Sequence, residues 1–441
     1  MVRDYSIFGS LFFFLSLILL LKGLHSEEYM SVVEGGSFPM GQANALDDEQ
    51  PVRFVSITTF HIDKTEVTIN FWRKIEKWAV KSGYRFSSGS SNAKRGLSWH
   101  FADTGDYPMN MVNWYDAVKW SNARSEFMGR QPVYFTDSKK DTIYKTGETE
   151  IDETCVNWTG TGYRLPSEAE WEKAARGGIQ GKNYPWGNFI DGSLANYKRS
   201  GDPFDDAATP VGYFNGEQII TSNVNSLGGE NKRKLDVRNN YQLYDITGNV
   251  GEWTWDWYQA NWYSNSKSSV TDPKGPELSD LKTSEQYKVY RGGDFRDSPN
   301  DEERSRKLRI AFRHVANPEF ASRTLGFRCI RSDAVDELWI EKQKIGSVES
   351  KWFYVNWLGS FFQSKDDWVY HEEWGWIYPT GFGSYDNWIY FPKVGWVWTS
   401  KFAYPYFYSS PEGEWYQRLF ENPLSGWFER QYDKHLSYWG R

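Results

Sequence analysis

Five carboxylates crowd one short stretch of this chain. They are Asp294, Asp297, Asp301, Glu302 and Glu303, in the segment Arg291-Gly-Gly-Asp-Phe-Arg-Asp-Ser-Pro-Asn-Asp-Glu-Glu303. Hard oxygen donors at that density can gather a cationic ligand or a hard metal ion. The same residues can also form a solvated acidic loop balanced by Arg296, Arg304 and Arg306. Soft-donor chemistry is scarce. Two cysteines, Cys155 and Cys329, could form one bridge or sit as two buried apolar thiols. The six histidines, His25, His61, His100, His314, His371 and His435, are scattered singly, so their spacing supports no histidine-rich metal site. Asn157-Trp-Thr159 is an acceptor sequon, which matters only in a cell that glycosylates.

Three helices must position these groups. Thr68 is a predicted N-cap, with Ile69, Trp72, Ile75, Trp78 and Ala79 at helical spacing and Gly83 as a left-handed stop. A second helix starts near Asn113, with Ala117, Trp120 and Phe127 on one side and Gly129 as terminator. The third follows Pro166. Ser167 and Glu170 form a capping-box pattern, Trp171, Ala174 and Ala175 face a core, and Gly177-Gly178 end it. Most of the remainder is loop-rich, with short strands such as Val52–Ile57.

The length suggests two or three domains. A net charge of -7 without a Lys/Arg run disfavours a nucleic-acid partner. Residues 7–24 are almost wholly apolar after Arg3. They read as part of a secretory signal peptide over residues 1–26, placing the protein in a secreted, periplasmic or cell-envelope location. An uncleaved membrane anchor over residues 7–24 is the alternative, and the membrane enters as a partner only through it. Beyond a charged linker at 335–350 the composition changes. From Lys351 to Arg441 about one residue in three is aromatic, far above ordinary usage. Trp368 to Tyr378 resembles Trp388 to Trp398, and Trp415-Tyr416 with Gly426-Trp-Phe428 is a worn third copy. Each copy reads as strand, turn at Gly375 or Gly395, strand. Residues 351–441 are therefore expected to form a small all-β tandem hairpin module. Its rings could fill a thin core, or recognise an envelope polysaccharide or a protein partner.

An ordered set of blocks carries a resemblance. Gly162-Tyr-Arg-Leu-Pro-Ser-Glu-Ala-Glu-Trp-Glu-Lys-Ala-Ala-Arg-Gly-Gly178 is the longest. Gly35 to Gly41, Lys64 to Thr68, Pro108 to Ala117, Tyr184 to Asn188, Ala195 to Tyr197, Leu243 to Trp253, Arg291 to Gly293 and Gly326 to Cys329 accompany it. Together they resemble the sulfatase-modifying-factor, or formylglycine-generating-enzyme-like, family over residues 29–334. The resemblance implies an α+β, C-type-lectin-like fold with little regular secondary structure.

Oxidase members of that family carry two copper-binding cysteines after the Arg-Gly-Gly block. Here Asp297 and Glu302 stand at those positions, and Asp294 replaces the usual Ser. Copper and formylglycine formation are therefore not expected. A related sulfoxide-synthase-like branch uses a histidine iron site, whose signature is absent. Arg291 to Phe295 also mimics a cyclic-dinucleotide cyclase signature, but the export signal and the surrounding blocks argue against it.

The resemblance further implies two structural Ca²⁺ sites. One maps to Asp245, Gly248, Val250 and Glu252, the other to Asn196, Tyr197, Asp202 and Phe204. Hydrogen-bonded turns are the alternative for both loops. Gly251 stands where the family usually has Trp. Two functions compete: a calcium-stabilised binding or scaffold protein, and a metal-dependent oxidase using non-cysteine residues such as Asp294, Asp297, Glu302 and Arg313.

Overall fold

Thr68 caps the first helix as its sequence suggests: its hydroxyl accepts the N–H of Phe71 at 3.1 Å. Helix α1 (Ile69–Ala79) buries Ile69, Trp72, Ile75 and Ala79. Trp78 is half-buried against Phe127, with ring centroids 5.8 Å apart. A 3₁₀ turn, Val80–Ser82, tightens the end, and Gly83 stops it at φ 91°. Asn113 caps α2 (Trp114–Phe127) by accepting the N–H of Asp116. Ser167 and Glu170 cap α3 (Glu168–Arg176) reciprocally, and Gly177 ends it in left-handed geometry.

The computed structural model describes residues 29–87, 106–204, 206–219, 235–269, 271–282, 286–298 and 306–332, with the strand segments of 343–439. The signal segment 1–26, the alternative anchor at 7–24 and Glu302 lie outside the described residues. The chain divides into two compact units, with the change near Asp333.

The first unit carries strands β1 (Met30–Val33), β2 (Gly36–Met40), β3 (Arg53–Ile57), β4 (Phe60–Asp63), β5 (Tyr163–Arg164), β6 (Gly251–Trp257), β7 (Lys288–Arg291), β8 (His314–Ala316), β9 (Leu325–Gly326) and β10 (Ile330–Ser332). One sheet runs β1-β4-β10-β5 and another β8-β7-β6-β9, while β2 and β3 pair alone. These strands are short and most of the chain between them is loop, so this part is α+β with few helices.

Helix α2 differs from its one-sided expectation. Every residue from Trp114 to Ser125 is buried, and Phe127 is half-buried. Neighbours enclose it on all sides, so its polar residues need internal partners. Lys119 pairs with Asp116 at 2.8 Å. Arg124 grips Asp63 with two bonds of 2.6 and 2.8 Å. Trp72 and Trp120 stack nearby at 5.5 Å.

The second unit is one antiparallel sheet, with consecutive strands as neighbours throughout. Its strands are β11 (Gln343–Lys344), β12 (Trp352–Val355), β13 (Gly359–Gln363), β14 (Val369–His371), β15 (Gly375–Thr380), β16 (Asn387–Phe391), β17 (Gly395–Thr399), β18 (Tyr406–Ser409), β19 (Glu414–Arg418), β20 (Trp427–Arg430) and β21 (Leu436–Tyr438). Gly375 and Gly395 follow the tight turns at φ 75° and 91°, as a three-residue hairpin loop requires. The tandem hairpins are thus continuous rather than separate. The segment read as a linker contributes β11, which pairs with β12. One face of the sheet buries Val369, Ile377, Ile389, Val397, Phe407, Tyr416 and Phe428. Trp374, in the turn before β15, meets Phe407 at 5.7 Å and Phe428 at 6.2 Å. A flat sheet would hold β15 and β20 about 24 Å apart at about 4.8 Å per strand, so this sheet is curled.

Candidate functional site

Helix α3 explains why its block is so rich in acids. Glu168 and Glu172, four residues apart on one face, both reach Arg291. The Glu168 Oε1 distance is 2.5 Å and the Glu172 Oε2 distance 2.7 Å. Arg176 also grips Glu172, and the Gly41 N–H donates to it at 2.7 Å. Glu170 turns the other way. It accepts from the Ser167 N–H and takes both arms of Arg164 at 2.7 Å. Burial opposes ionisation of all three carboxyls, but the guanidinium groups override it and hold each below the usual carboxylate range.

Arg291 leads straight into Gly292 and Gly293, both at positive φ. A Cβ on Gly293 would lie 2.7 Å from the Lys307 carbonyl, so the turn needs glycine. The Gly292 carbonyl accepts the Gly248 N–H at 2.9 Å. Next in the chain, Asn249 ties three loops together. Its N–H donates to the Asn196 carbonyl, and its carbonyl accepts the Phe295 N–H, both at 3.0 Å. Its Nδ2 donates to Glu66 Oε1 at 3.0 Å, and its Oδ1 accepts the Thr209 N–H at 3.0 Å. The loops around 196 and 295 therefore converge on the Asn249 backbone, while its side chain ties in Glu66 and Thr209. Sequence reasoning assigned neither Asn249 nor Glu66 a role, and their only signal was membership of the quoted blocks.

Asp294 and Asp297 are both buried in the turn that follows. Asp297 Oδ2 accepts the Asp294 N–H, Asp294 Oδ1 accepts the Arg296 N–H, and the Asp297 carbonyl accepts the Lys198 N–H. Burial raises the Asp294 pKa, and the Arg296 N–H and the Thr324 side chain oppose that shift. Arg313 is engaged elsewhere. It grips Glu168 with bonds of 2.7 and 2.9 Å, donates to the carbonyls of Asp48 and Gln259, and lies over Tyr258 and Tyr263. The expected grouping of Arg313 with the two aspartates is thus replaced by an ion pair to α3, because Glu168 needs a second counter-charge.

The loop expected to hold the first cation is rich in buried carboxylates. Three carboxylates, Glu66, Asp245 and Glu252, share a buried region with the guanidinium of Arg328. Glu66 Oε2 is buried without a hydrogen-bond partner. Burial, then the charge of Asp245, raises the Glu66 pKa well above its ordinary value. Burial likewise pushes Asp245 up to about 6, against the Gly212 N–H that donates to its Oδ2 at 2.6 Å. Asp245 is in left-handed geometry at φ 57°. Arg328 and Trp171 occupy the oxygens of Glu252.

The second loop carries local hydrogen bonds. Asp202 accepts from Ser200 Oγ and from the Phe204 N–H. The carbonyls of Tyr197 and Phe204 accept the N–H groups of Ser200 and Ala207, and Asn196 Nδ2 donates to the Ala207 carbonyl. These are turn bonds, the reading left open beside the metal one. Among the described residues, no group of three or more His, Cys, Asp or Glu side chains could hold a metal ion.

Cys155 and Cys329 are both free and buried. Burial pushes the Cys329 thiol up to about 12. A cavity of about 1090 Å³ opens beside Glu66, lined also by Lys64, Phe71, Asp106, Phe127 and Tyr244. No helix among the described residues is long and apolar enough to cross a membrane.

Residues 22–333 match the family described as the sulfatase-modifying factor enzyme 1-like domain. The chain is 30% identical over 316 residues to the formylglycine-generating enzyme of Thermomonospora curvata, covering 68% of this chain and 92% of that one. It is 29% identical over 332 residues to the mouse protein named inactive C-alpha-formylglycine-generating enzyme 2, covering 73% and 92%. It is 29% identical over 309 residues to the serine/threonine-protein kinase Pkn1 of Chlamydia trachomatis, covering 68% of this chain but spanning only 38% of that relative. Among solved structures, the Treponema denticola variable protein 1 aligns at 24% identity and a TM-score of 0.46, covering 69% and 95%. With its ordered blocks matched across 22–333, the chain belongs to the sulfatase-modifying factor enzyme 1-like family.

Proposed function

We propose that this chain is an exported, calcium-stabilised binding or scaffold protein, keeping the family architecture on a lectin-like scaffold without copper-dependent oxidase chemistry. Its aromatic C-terminal module attaches it to an envelope polysaccharide or a protein partner. The observation that carries this reading is the segment after Arg291. Where the family's oxidases carry copper-binding thiols, this chain has Asp297 and Glu302. The Asp297 carboxylate is folded back onto the Asp294 N–H.

The chemistry of the thiols supports the same reading. Copper(I) is held by a pair of thiolates, and the two cysteines of this chain, Cys155 and Cys329, are both buried and lie outside the segment after Arg291. A mouse relative named inactive is consistent with a scaffold that outlives its chemistry. Calcium belongs to the first loop on this reading, with Asp245 as its carboxylate and the Gly248 and Val250 carbonyls as further oxygen ligands. The oxidase alternative loses support because Arg313 is committed to Glu168.

Elemental analysis of the purified protein tests the proposal. Calcium alone is the expected result, and stoichiometric iron or copper sinks it. A sulfatase-peptide assay should yield no aldehyde. Mass spectrometry of the mature N-terminus checks export, with cleavage expected near Ser26.

A further inference from the structure

We propose that the outward face of the C-terminal sheet binds an extended neutral polysaccharide through repeated Tyr/Trp ring pairs, one in each of the four hairpins from β14 to β21. This rests on the reading of the module as an attachment element. In β14–β15, Tyr370 stands directly opposite Trp376, and in β16–β17, Tyr390 opposite Trp396. In β18–β19, Tyr408 stands opposite Trp415, and in β20–β21, Trp427 opposite Tyr438. The ring centroids in these pairs are 5.3, 5.3, 5.5 and 5.3 Å apart. Each pair has one well-exposed ring: Trp376 at 47%, Trp396 at 38%, Trp415 at 41% and Tyr438 at 43%.

These rings are not the core. Their chain neighbours Ile377, Val397, Tyr416 and Trp439 point the other way and are buried. The sheet therefore has two aromatic faces, and one of them is open to solvent. Large apolar surface left in water marks recognition rather than packing.

The ring types select the ligand. Trp and Tyr combine a flat apolar face with a polar tip. A sugar ring offers the complement, C–H groups on its face and hydroxyls at its rim. An anionic membrane is the poorer occupant. Residues 351–441 hold ten Asp and Glu against eight Lys and Arg, so no excess positive charge draws the module to such a surface. Repetition adds the polymer. One stacking pair binds weakly, but units recurring on every second strand suit a ligand that also recurs, and linked contacts multiply.

The full-length chain is tested by co-sedimentation with cellulose and chitin, and with anionic and zwitterionic vesicles. Wild type should bind polysaccharide with little salt dependence. Trp376→Ala, Trp396→Ala, Trp415→Ala and Tyr438→Ala should each weaken binding about 3- to 10-fold, and the quadruple variant should lose it. Because these rings are exposed, the thermal midpoint of each variant serves as the folding control. A quadruple variant that still binds in full overturns the proposal, as does a wild type that partitions to vesicles and not to polysaccharide. Isolated envelopes separate the two readings. Envelope binding that survives all four substitutions keeps the attachment role and overturns this one. A wild type that binds neither envelope nor polysaccharide overturns both.

Discussion

Arg328 holds Glu252 from two sides, with Nη2 2.6 Å from Oε1 and Nε 2.7 Å from Oε2. Trp171 adds an indole N–H to Oε2 at 2.8 Å. All three residues are buried. Arg328 also donates to the carbonyls of Asp63, Lys64 and Tyr244, so this pair joins the ends of β4 and β6 to the turn before Asp245. Glu252 is thereby the counter-ion of Arg328, whatever binds at the neighbouring loop.

Glu252→Gln should leave a buried guanidinium without its charge partner. The expected cost is about 3–5 kcal/mol in urea or thermal unfolding. The loss should be the same with calcium or with a chelator. A loss that disappears under chelation would show that Glu252 acts through the metal instead.

Asp245→Asn should behave in the opposite way. The amide oxygen can still accept the Gly212 N–H, so the fold survives. Chelation should lower the unfolding midpoint of wild type and leave that of Asp245→Asn unchanged. Equal sensitivity of the two proteins to chelation would remove calcium from this loop.

Acid should attack the α3 network. Burial alone would raise the Glu172 pKa, but Arg176, Arg291 and the Gly41 N–H bring it to about 2, against 4.5 in an unstructured chain. A depressed carboxyl stabilises the fold fully above the unfolded value, and the contribution fades as pH falls through about 2. Glu172→Gln should therefore be less stable than wild type at pH 7. The gap should narrow by roughly 3 kcal/mol towards pH 2, as measured by urea unfolding across that range.

Gly248→Ala should damage the junction of the loops. Gly248 sits at φ 80°, and a Cβ there would lie 2.0 Å from the Asn196 carbonyl oxygen. The added methyl meets backbone rather than a movable side chain, so the loops must separate. A loss of about 2–4 kcal/mol is expected, from left-handed strain and the broken contact together. A thermal midpoint within a degree or two of wild type would mean that the loops are not locked together as described.

Much of the local structure was legible without coordinates. The caps Thr68, Asn113 and Ser167 each bond an N–H three residues on, so their signal lies within a few neighbouring letters. The hairpin turns at Gly375 and Gly395 were legible for the same reason, as local positions of positive φ. Ordered blocks across 22–333 carried the family. The complete burial of α2 was not legible, because a helix pattern names the side that can face a core and not how many neighbours arrive.

Sequence alone determined the helix caps, the hairpin turns and the ordered family blocks. Tertiary structure decided what each carboxylate does. Glu172 meets Arg291 across 119 positions and Glu168 meets Arg313 across 145, while Glu252 meets Arg328 across 76. An acid in a string of letters can be a metal ligand, a catalyst or a counter-ion. Only the charge folded against it, and the water excluded around both, makes the choice.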